Sequence, residues 1–296
     1  MDGVERDPGQ PTKPSSSPSV TVVVPTKNAA RTLARCLDSL RTQTYPTRTV
    51  VVDNGSTDGT VEVARRGADV VLFAGPERSA QRNLGARSWP AEVVGFIDAD
   101  MFVPPTVVEE AVVAIREGAG SVIVPERTVG TGFWVAVRAF ERSFYVGSDA
   151  IEAARFFAWE VFDCAGGFDE ELTGPEDRDL SESARRLAPV ARTTSVIDHD
   201  EGSIGYWEAC RKKAYYAEGV RRYVAKRGFW AVREASRRPW LHHPGQLLTR
   251  RGAGLLALKA GEASAVSWAL LRAQVEGRSG PRTTGATLSP GRRSAD

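Results

Sequence analysis

The chain has 296 residues, 42% hydrophobic and 26% charged, enough to bury the core of a soluble α/β enzyme. A formal net charge of +2 is too small to argue for a nucleic-acid partner, although basic residues thicken after Arg211. No uninterrupted apolar run reaches the roughly 18 residues of a membrane span; the nearest stretch, 253–271, is broken by Lys259 and Glu262.

Residues 1–19, rich in Pro, Ser and charge, predict a disordered leader. Val20 to Val24 then reads as a buried strand bounded by Pro25, and 28–40 as a helix with Leu33, Leu37 and Leu40 at helical spacing. A second strand, 49–52, ends on the turn formers Asp53 to Gly59, and a helix starts near Thr60 with Asp58 or Thr57 as its cap. A strand at 70–73, a helix from Arg78 to Ala86 and a strand at 93–97 complete this half. The last strand stops on Asp98-Ala99-Asp100.

Strands alternating with helices imply a doubly wound, mainly parallel sheet flanked by helices, which holds ligands outside the carboxyl ends of its strands. Three polar clusters, 25–28, 53–59 and 98–100, would then meet on one edge. The Gly-rich dinucleotide fingerprint and the phosphate loop are both missing from the sequence. A divalent cation held by Asp98 and Asp100 is the natural substitute, and carboxylate oxygens suit Mg2+ or Mn2+.

Further along, Glu176-Asp177 follows the turn formers Gly174 and Pro175, with a helix expected from Leu180, and Asp198-His199-Asp200 follows Val196-Ile197. From 206 to 227, Arg211, Lys212, Lys213, Arg221, Arg222, Lys226 and Arg227 interleave with Trp207, Tyr215, Tyr216 and Tyr223. Such a helix suits an anionic membrane surface or a phosphorylated acceptor, or simply a solvated face. One or two more helices are expected between Pro239 and Glu276, and a disordered tail over 277–296. Three widely spaced cysteines, Cys36, Cys164 and Cys210, fit reduced thiols in a cytosolic compartment.

The segments 22–28 (Val-Val-Val-Pro-Thr-Lys-Asn), 51–60 (Val-Val-Asp-Asn-Gly-Ser-Thr-Asp-Gly-Thr), 78–86 (Arg-Ser-Ala-Gln-Arg-Asn-Leu-Gly-Ala), 96–101 (Phe-Ile-Asp-Ala-Asp-Met), 165–172 (Ala-Gly-Gly-Phe-Asp-Glu-Glu-Leu) and 174–180 (Gly-Pro-Glu-Asp-Arg-Asp-Leu) together resemble family 2 glycosyltransferases of the GT-A fold. The resemblance implies a catalytic domain over 20–205, with a nucleotide-binding half to about 101 and an acceptor half from 102, followed by a helical basic and aromatic extension over 206–276. It implies a metal-dependent, inverting transfer of a sugar from a nucleotide donor, expected to be a UDP-sugar, to a hydroxyl acceptor that is lipid- or phosphate-linked, glycan or secondary metabolite. A cytoplasmic protein, peripheral at the inner membrane face through 206–227, is the expected setting.

Carried over by position, Pro25, Thr26, Asn28 and Asp53 bind base and ribose. Arg82, favoured over Arg78, meets the pyrophosphate or braces the acidic triplet. Asp100 is the direct metal ligand, Asp98 the contact to ribose or to a metal-bound water, and His199, ahead of Asp200, a third ligand. Asp177 is the general base, with Glu176 positioning it. Trp159 and Arg155 line the acceptor side. Bland readings stand beside these: an Asx-type turn for Asp53, a helix start for Glu176-Asp177, core packing for Trp159 and a plain hydrogen-bonding role for His199. Two other functional classes compete: a nucleotidyltransferase, for which Pro25-Thr26-Lys27-Asn28 is a poor phosphate loop, and a non-catalytic nucleotide- or carbohydrate-binding module, against which the intact acids argue.

Overall fold

The computed structural model describes residues 19–149, 151–228 and 238–278, so the expected leader before Ser19 and the tail after Arg278 lie outside the described residues. Strands β1 (Val20–Thr26), β2 (Arg48–Asp53), β3 (Val70–Phe73) and β4 (Val93–Phe96) alternate with helices α1 (Ala30–Arg41), α2 (Thr60–Gly67) and α3 (Arg78–Ser88). Then come β5 (Met101–Phe102), α4 (Val107–Arg116), β6 (Ser121–Ile123), β7 (Glu126–Thr131), α5 (Phe133–Ser143), β8 (Ala154–Ala158), α6 (Trp159–Cys164), α7 (Glu176–Arg185), β9 (Val190–Arg192) and β10 (Ile197–Ser203).

Seven strands form one sheet in the order β3-β2-β1-β4-β8-β6-β9, parallel except for β8, which runs against both of its neighbours. Both faces are buried, as a mainly parallel sheet requires. Alternate residues of β1 serve opposite sides: Val20, Val22 and Val24 join Leu33, Leu37 and Leu40 of α1 and Val107, Val108 and Ala111 of α4, while Val23 joins Ala86, Phe162 and Leu180 of α3, α6 and α7. In α3, Gly85 lets the helix close on the sheet, because a Cβ there would stand 2.5 Å from Val23 Cγ1.

The parallel run β2-β1-β4 brings the segments after all three strands to one edge. The reversal of β8 has an equal consequence. Its first residues lie at that edge, whereas Ala158 pairs with Val93 at the start of β4, on the opposite edge. A second, three-stranded sheet, β5-β10-β7, sets His199 beside Met101 and Thr128, and a backbone bond from Asp200 N–H to Asp100 O (2.8 Å) fastens it to the acidic triplet.

Three differences from the sequence expectations have local causes. Helix α7 begins at Glu176, four residues ahead of Leu180, with Glu176, Asp177 and Asp179 in its first turn, where the helix dipole favours acids. The 206–227 segment divides at Tyr216 into α8 (Tyr206–Tyr215) and α9 (Ala217–Arg227), and the last helix runs Arg250–Arg278, two residues into the expected tail. Much of the basic character of α9 is satisfied internally: Lys226 and Arg227 pair with Asp179, and Arg221 with Glu218. Helices α5, α8 and the last helix share a separate core of Val137, Ala209, Cys210, Leu255 and Leu258. Among the described residues no helix is long and apolar enough to cross a membrane, and all three cysteines are unpaired.

Candidate active site

The turns after β1 and β2 are built on each other. Asn28 holds a left-handed φ of 51°, a conformation asparagine tolerates. Its N–H donates to Ser56 Oγ (2.8 Å) and its side-chain carbonyl accepts from Thr57 N–H (2.9 Å). Asp53, 1% exposed, accepts from Ser56 N–H (2.8 Å), Ser56 Oγ (2.5 Å) and Thr26 Oγ1 (3.0 Å). The Asx-type turn is therefore realised, and a carboxylate with four acceptor positions keeps one for a ligand. Gln81 on α3 donates to the carbonyls of Thr26 (2.9 Å) and Val52 (2.6 Å), tying both strand ends to the helix. Pro25, within β1, is buried in register with Val52.

Arg82 is the hub of the edge. Its side chain is 0% exposed; Nη2 lies 2.6 Å from Asp98 Oδ1, and Nη1 lies 2.7 Å from Asp177 Oδ1 and 3.4 Å from Glu176 Oε1. Burial disfavours a charge on Arg82, and Asp177 and Asp98 more than offset it. Of the two expected roles, pyrophosphate contact or bracing of the acidic triplet, the contacts of Arg82 are those of the brace, a guanidinium enclosed by three carboxylates. Arg78, one helical turn earlier, stays 40% exposed, 3.7 Å from Glu176 and 3.1 Å from Tyr216 Oη. It is the more exposed arginine of the pair. Next along α3, Asn83 clamps the Gly-Gly-Phe-Asp loop through both the N–H (2.9 Å) and the carbonyl (2.8 Å) of Phe168.

Arg155, 6% exposed at the start of β8, lies 2.5 Å from Glu126 Oε1, 3.5 Å from Asp98 Oδ2 and 3.9 Å from Asp177 Oδ2. Both oxygens of Asp98 thus face arginines. Burial would raise its pKa, but Arg82 and Arg155 hold it well below the usual carboxylate range. Asp98, expected among the metal ligands, is in this arrangement an ion-pair partner of Arg82 and Arg155. Glu176, 2% exposed, has its pKa raised by burial and by the charge of Asp177, against the pull of Arg82 and Arg78.

At the mouth, Asp100 is 39% exposed, and its Oδ2 lies 3.4 Å from His199 Nε2; the other ring nitrogen, Nδ1, lies 3.2 Å from Glu126 Oε2. Burial opposes a charge on His199, but Asp100 and Glu126 overcome it and push its pKa up to about 9. Asp200 turns away to pair with Arg31 at 2.9 Å. Among the described residues no three His, Cys, Asp or Glu side chains are disposed to hold a metal ion. The protein offers the pair Asp100 and His199, with Glu126 orienting the imidazole from behind.

The structure thus gathers Arg82, Asp98, Asp100, Arg155, Glu176, Asp177 and His199, with the turns carrying Thr26, Asn28 and Asp53 on the same edge. It does not bring Trp159 there. Standing past the end of β8, Trp159 packs on Phe162 (ring centroids 5.8 Å apart) at the opposite edge, which corrects its expected acceptor role. No sequence motif surrounds Glu126 or Arg142. Gln81 and Asn83 stand within the 78–86 segment beside its arginines, so that segment is the signal that marks them.

A sequence model of glycosyl transferase family 2 matches residues 21–168. The chain is 31% identical over 192 residues to the succinoglycan biosynthesis protein ExoA of Rhizobium meliloti, covering 56% of this chain and 57% of that protein. It is 31% identical over 238 residues to the pre-mycofactocin glycosyltransferase of Mycobacterium tuberculosis (69% and 48%), and 34% identical over 96 residues to the glycosyltransferase AglE of Haloferax volcanii (29% and 32%). The matched stretches span from a third to just over half of these relatives. In fold, the chain is similar to the mannosyltransferase PcManGT from Pyrobaculum calidifontis, solved in complex with GDP-Man and Mn2+, with a TM-score of 0.58 at 22% identity over 90% of this chain and 81% of that one.

Proposed function

The chain belongs to glycosyl transferase family 2 and has the GT-A fold, and from that premise we propose that it transfers a sugar from a nucleotide donor to an acceptor hydroxyl with inversion, aided by a divalent cation. The observation that carries this reading is the Arg82 junction, where one buried guanidinium fixes Asp177 at 2.7 Å and Asp98 at 2.6 Å. In this assignment the acceptor oxygen attacks the anomeric carbon as the bond to the diphosphate breaks. Its proton passes to Asp177, and the nucleoside diphosphate leaves with the bonding pair. Arg82 occupies Oδ1 of Asp177, so Oδ2 is the oxygen left for the proton. Glu176, buried and accepting from Gly174 N–H, positions this turn.

On the donor side, Thr26, Asn28, Asp53 and Pro25 frame the nucleoside, with a uridine expected, and Arg78 meets the diphosphate. Asp98 braces the edge through Arg82 and Arg155. The donor set of Asp100 and His199 fits Mg2+ or Mn2+, which take one or two protein ligands and fill the remaining positions with phosphate oxygens and water. When bound, the cation would neutralise charge on the departing diphosphate.

The test is a thermal-shift screen of UDP, GDP and other nucleoside diphosphates with and without Mn2+. One base giving a Mn2+-dependent rise in Tm is expected and fixes the donor class. A chain that no nucleoside diphosphate stabilises in either condition would overturn the assignment.

A further inference from the structure

Behind the acceptor side of the edge, between β7, α5, α8 and the last helix, lies a polar cavity of about 250 Å3. Two of its lining residues touch the catalytic cluster directly. Arg142 reaches Glu126 and His199, and Tyr216 binds Arg78. The nucleotide turns belong to other elements, so this space adjoins the reacting edge without being part of the donor pocket.

The cavity is built for an anion. The carboxylates lining it have cationic neighbours: Glu201 lies 2.5 Å from Arg138, and Glu141 and Glu262 share Lys259 at 2.7 Å each. Lys212 and Lys213 of α8 also line it; burial disfavours the charge on Lys213, and Glu262 and Glu141 of the same wall attract it. Thr128, 7% exposed, presents a buried Oγ1 with no hydrogen-bond partner in the same wall. A buried hydroxyl without a partner is costly, and in a wall that also carries Lys212 and Lys213 a ligand oxygen would satisfy it.

We propose that this cavity binds a phosphate group on the acceptor, with Lys212 and Lys213 supplying charge and Thr128 a hydrogen bond. This rests on the glycosyltransferase reading and names its acceptor class. Phosphate suits the wall because its several charged oxygens can meet ammonium, guanidinium and hydroxyl donors at once.

The full chain, saturated with its preferred nucleoside diphosphate and Mn2+ so that the donor site is filled, is titrated by calorimetry with inorganic phosphate and with a short alkyl phosphate. A second phosphate site is expected, weakened about tenfold in Lys212→Gln/Lys213→Gln and less in Thr128→Val, in line with the strength of charge-assisted hydrogen bonds. Nucleoside diphosphate affinity should hold in both variants. No second site, or one unchanged in the double variant, overturns the proposal. Sedimentation with phosphatidylcholine vesicles, with and without a long-chain alkyl phosphate, assigns the source: Lys212- and Lys213-dependent capture by the phosphate-bearing vesicles points to a lipid, and binding of the soluble ester alone points to a free phosphate ester. Nucleotide binding without a second phosphate site sinks this inference only, whereas failure to bind any nucleoside diphosphate sinks the transferase reading itself.

Discussion

Arg82 Nη1 meets Asp177 Oδ1 at 2.7 Å across 95 positions of sequence, while Nη2 of the same guanidinium meets Asp98 at 2.6 Å. The acid assigned to the acceptor proton and the acidic triplet on the donor side are therefore held by one planar cation. Its rigid fork sets their spacing, and that arrangement exists only once α3, β4 and α7 have packed together.

Removing Arg82 should damage stability and turnover together. Arg82→Met leaves three carboxylates around an apolar chain, and loss of one partner from a buried ion pair costs about 3–5 kcal/mol. Urea denaturation should register that loss. Arg82→Lys keeps the charge but cannot bridge Asp98 and Asp177, and a misplacement of about 1 Å lowers rates on the order of 100-fold. If Arg82→Met matches the parent in urea, the hub assignment fails.

Asp177→Asn should lower transfer by about 10²–10⁴-fold, the usual contribution of a positioned base. Nucleoside diphosphate affinity, measured by calorimetry, should stay nearly unchanged, because the role proposed for Asp177 is to take the acceptor's proton. A large loss of nucleotide binding would refute the base assignment.

The carboxyl edge was legible in the sequence because β1, β2 and β4 announce themselves as β-branched or apolar runs that stop on polar turns, and their parallel order follows from the helices between them. The acceptor side was not. Arg155 and Trp159 are four positions apart, and only the antiparallel direction of β8 sends one to the site and the other to the far edge. Nor does any local pattern announce that Glu126, at the start of β7, orients His199 in β10, since register between distant strands decides it. At Asp53 the sequence allowed a turn or a ligand contact, and the turn with Ser56 claims two of four acceptor positions while Thr26 of β1 claims a third.

Acid should loosen the segment that leads into β10. Glu110 on α4 accepts from Thr194 N–H (2.7 Å), Thr194 Oγ1 (2.8 Å) and Ser195. Burial would raise its pKa, but these bonds lower it from 4.5 to about 2. A depressed carboxylate pKa means that the unfolded chain binds more protons between those values, so the stabilisation is present above pH 4.5 and is lost as pH falls toward 2. Urea denaturation across that window should show a shallower fall in stability for Glu110→Gln than for the parent. Identical pH profiles would remove Glu110 from the account.

Gly85→Ala tests the closeness of α3 to the sheet. A Cβ would lie 2.5 Å from Val23 Cγ1 and 3.1 Å from Val52 Cγ2, and neither valine can yield, because both are fully buried. Overpacking of this kind costs about 1–3 kcal/mol. It should also shift Arg82 on the same helix, so transfer should fall along with Tm. An alanine variant as stable as the parent would show that α3 stands farther from β1.

The assignment of the cation to Asp100 and His199 gives three graded outcomes. Asp100→Ala removes the exposed carboxylate and should abolish the Mn2+-dependent part of the thermal shift seen with nucleoside diphosphate. His199→Ala removes the nitrogen ligand and should weaken Mn2+ without abolishing it, because phosphate oxygens still contribute. Glu126→Gln is the discriminating change, for it leaves both ligands in place and alters the group 3.2 Å from His199 Nδ1, a carboxylate that also pairs with Arg155 and Arg142. Partners of this kind fix the orientation and basicity of a ligating imidazole, and their loss typically costs about 10–100-fold in metal affinity. A titration of Mn2+ against each variant, followed by electron paramagnetic resonance of the free ion, reads this without an activity assay. If Glu126→Gln binds Mn2+ as the parent does while Asp100→Ala does not, His199 is a hydrogen-bonding neighbour of Asp100 and the cation rests on the carboxylate alone.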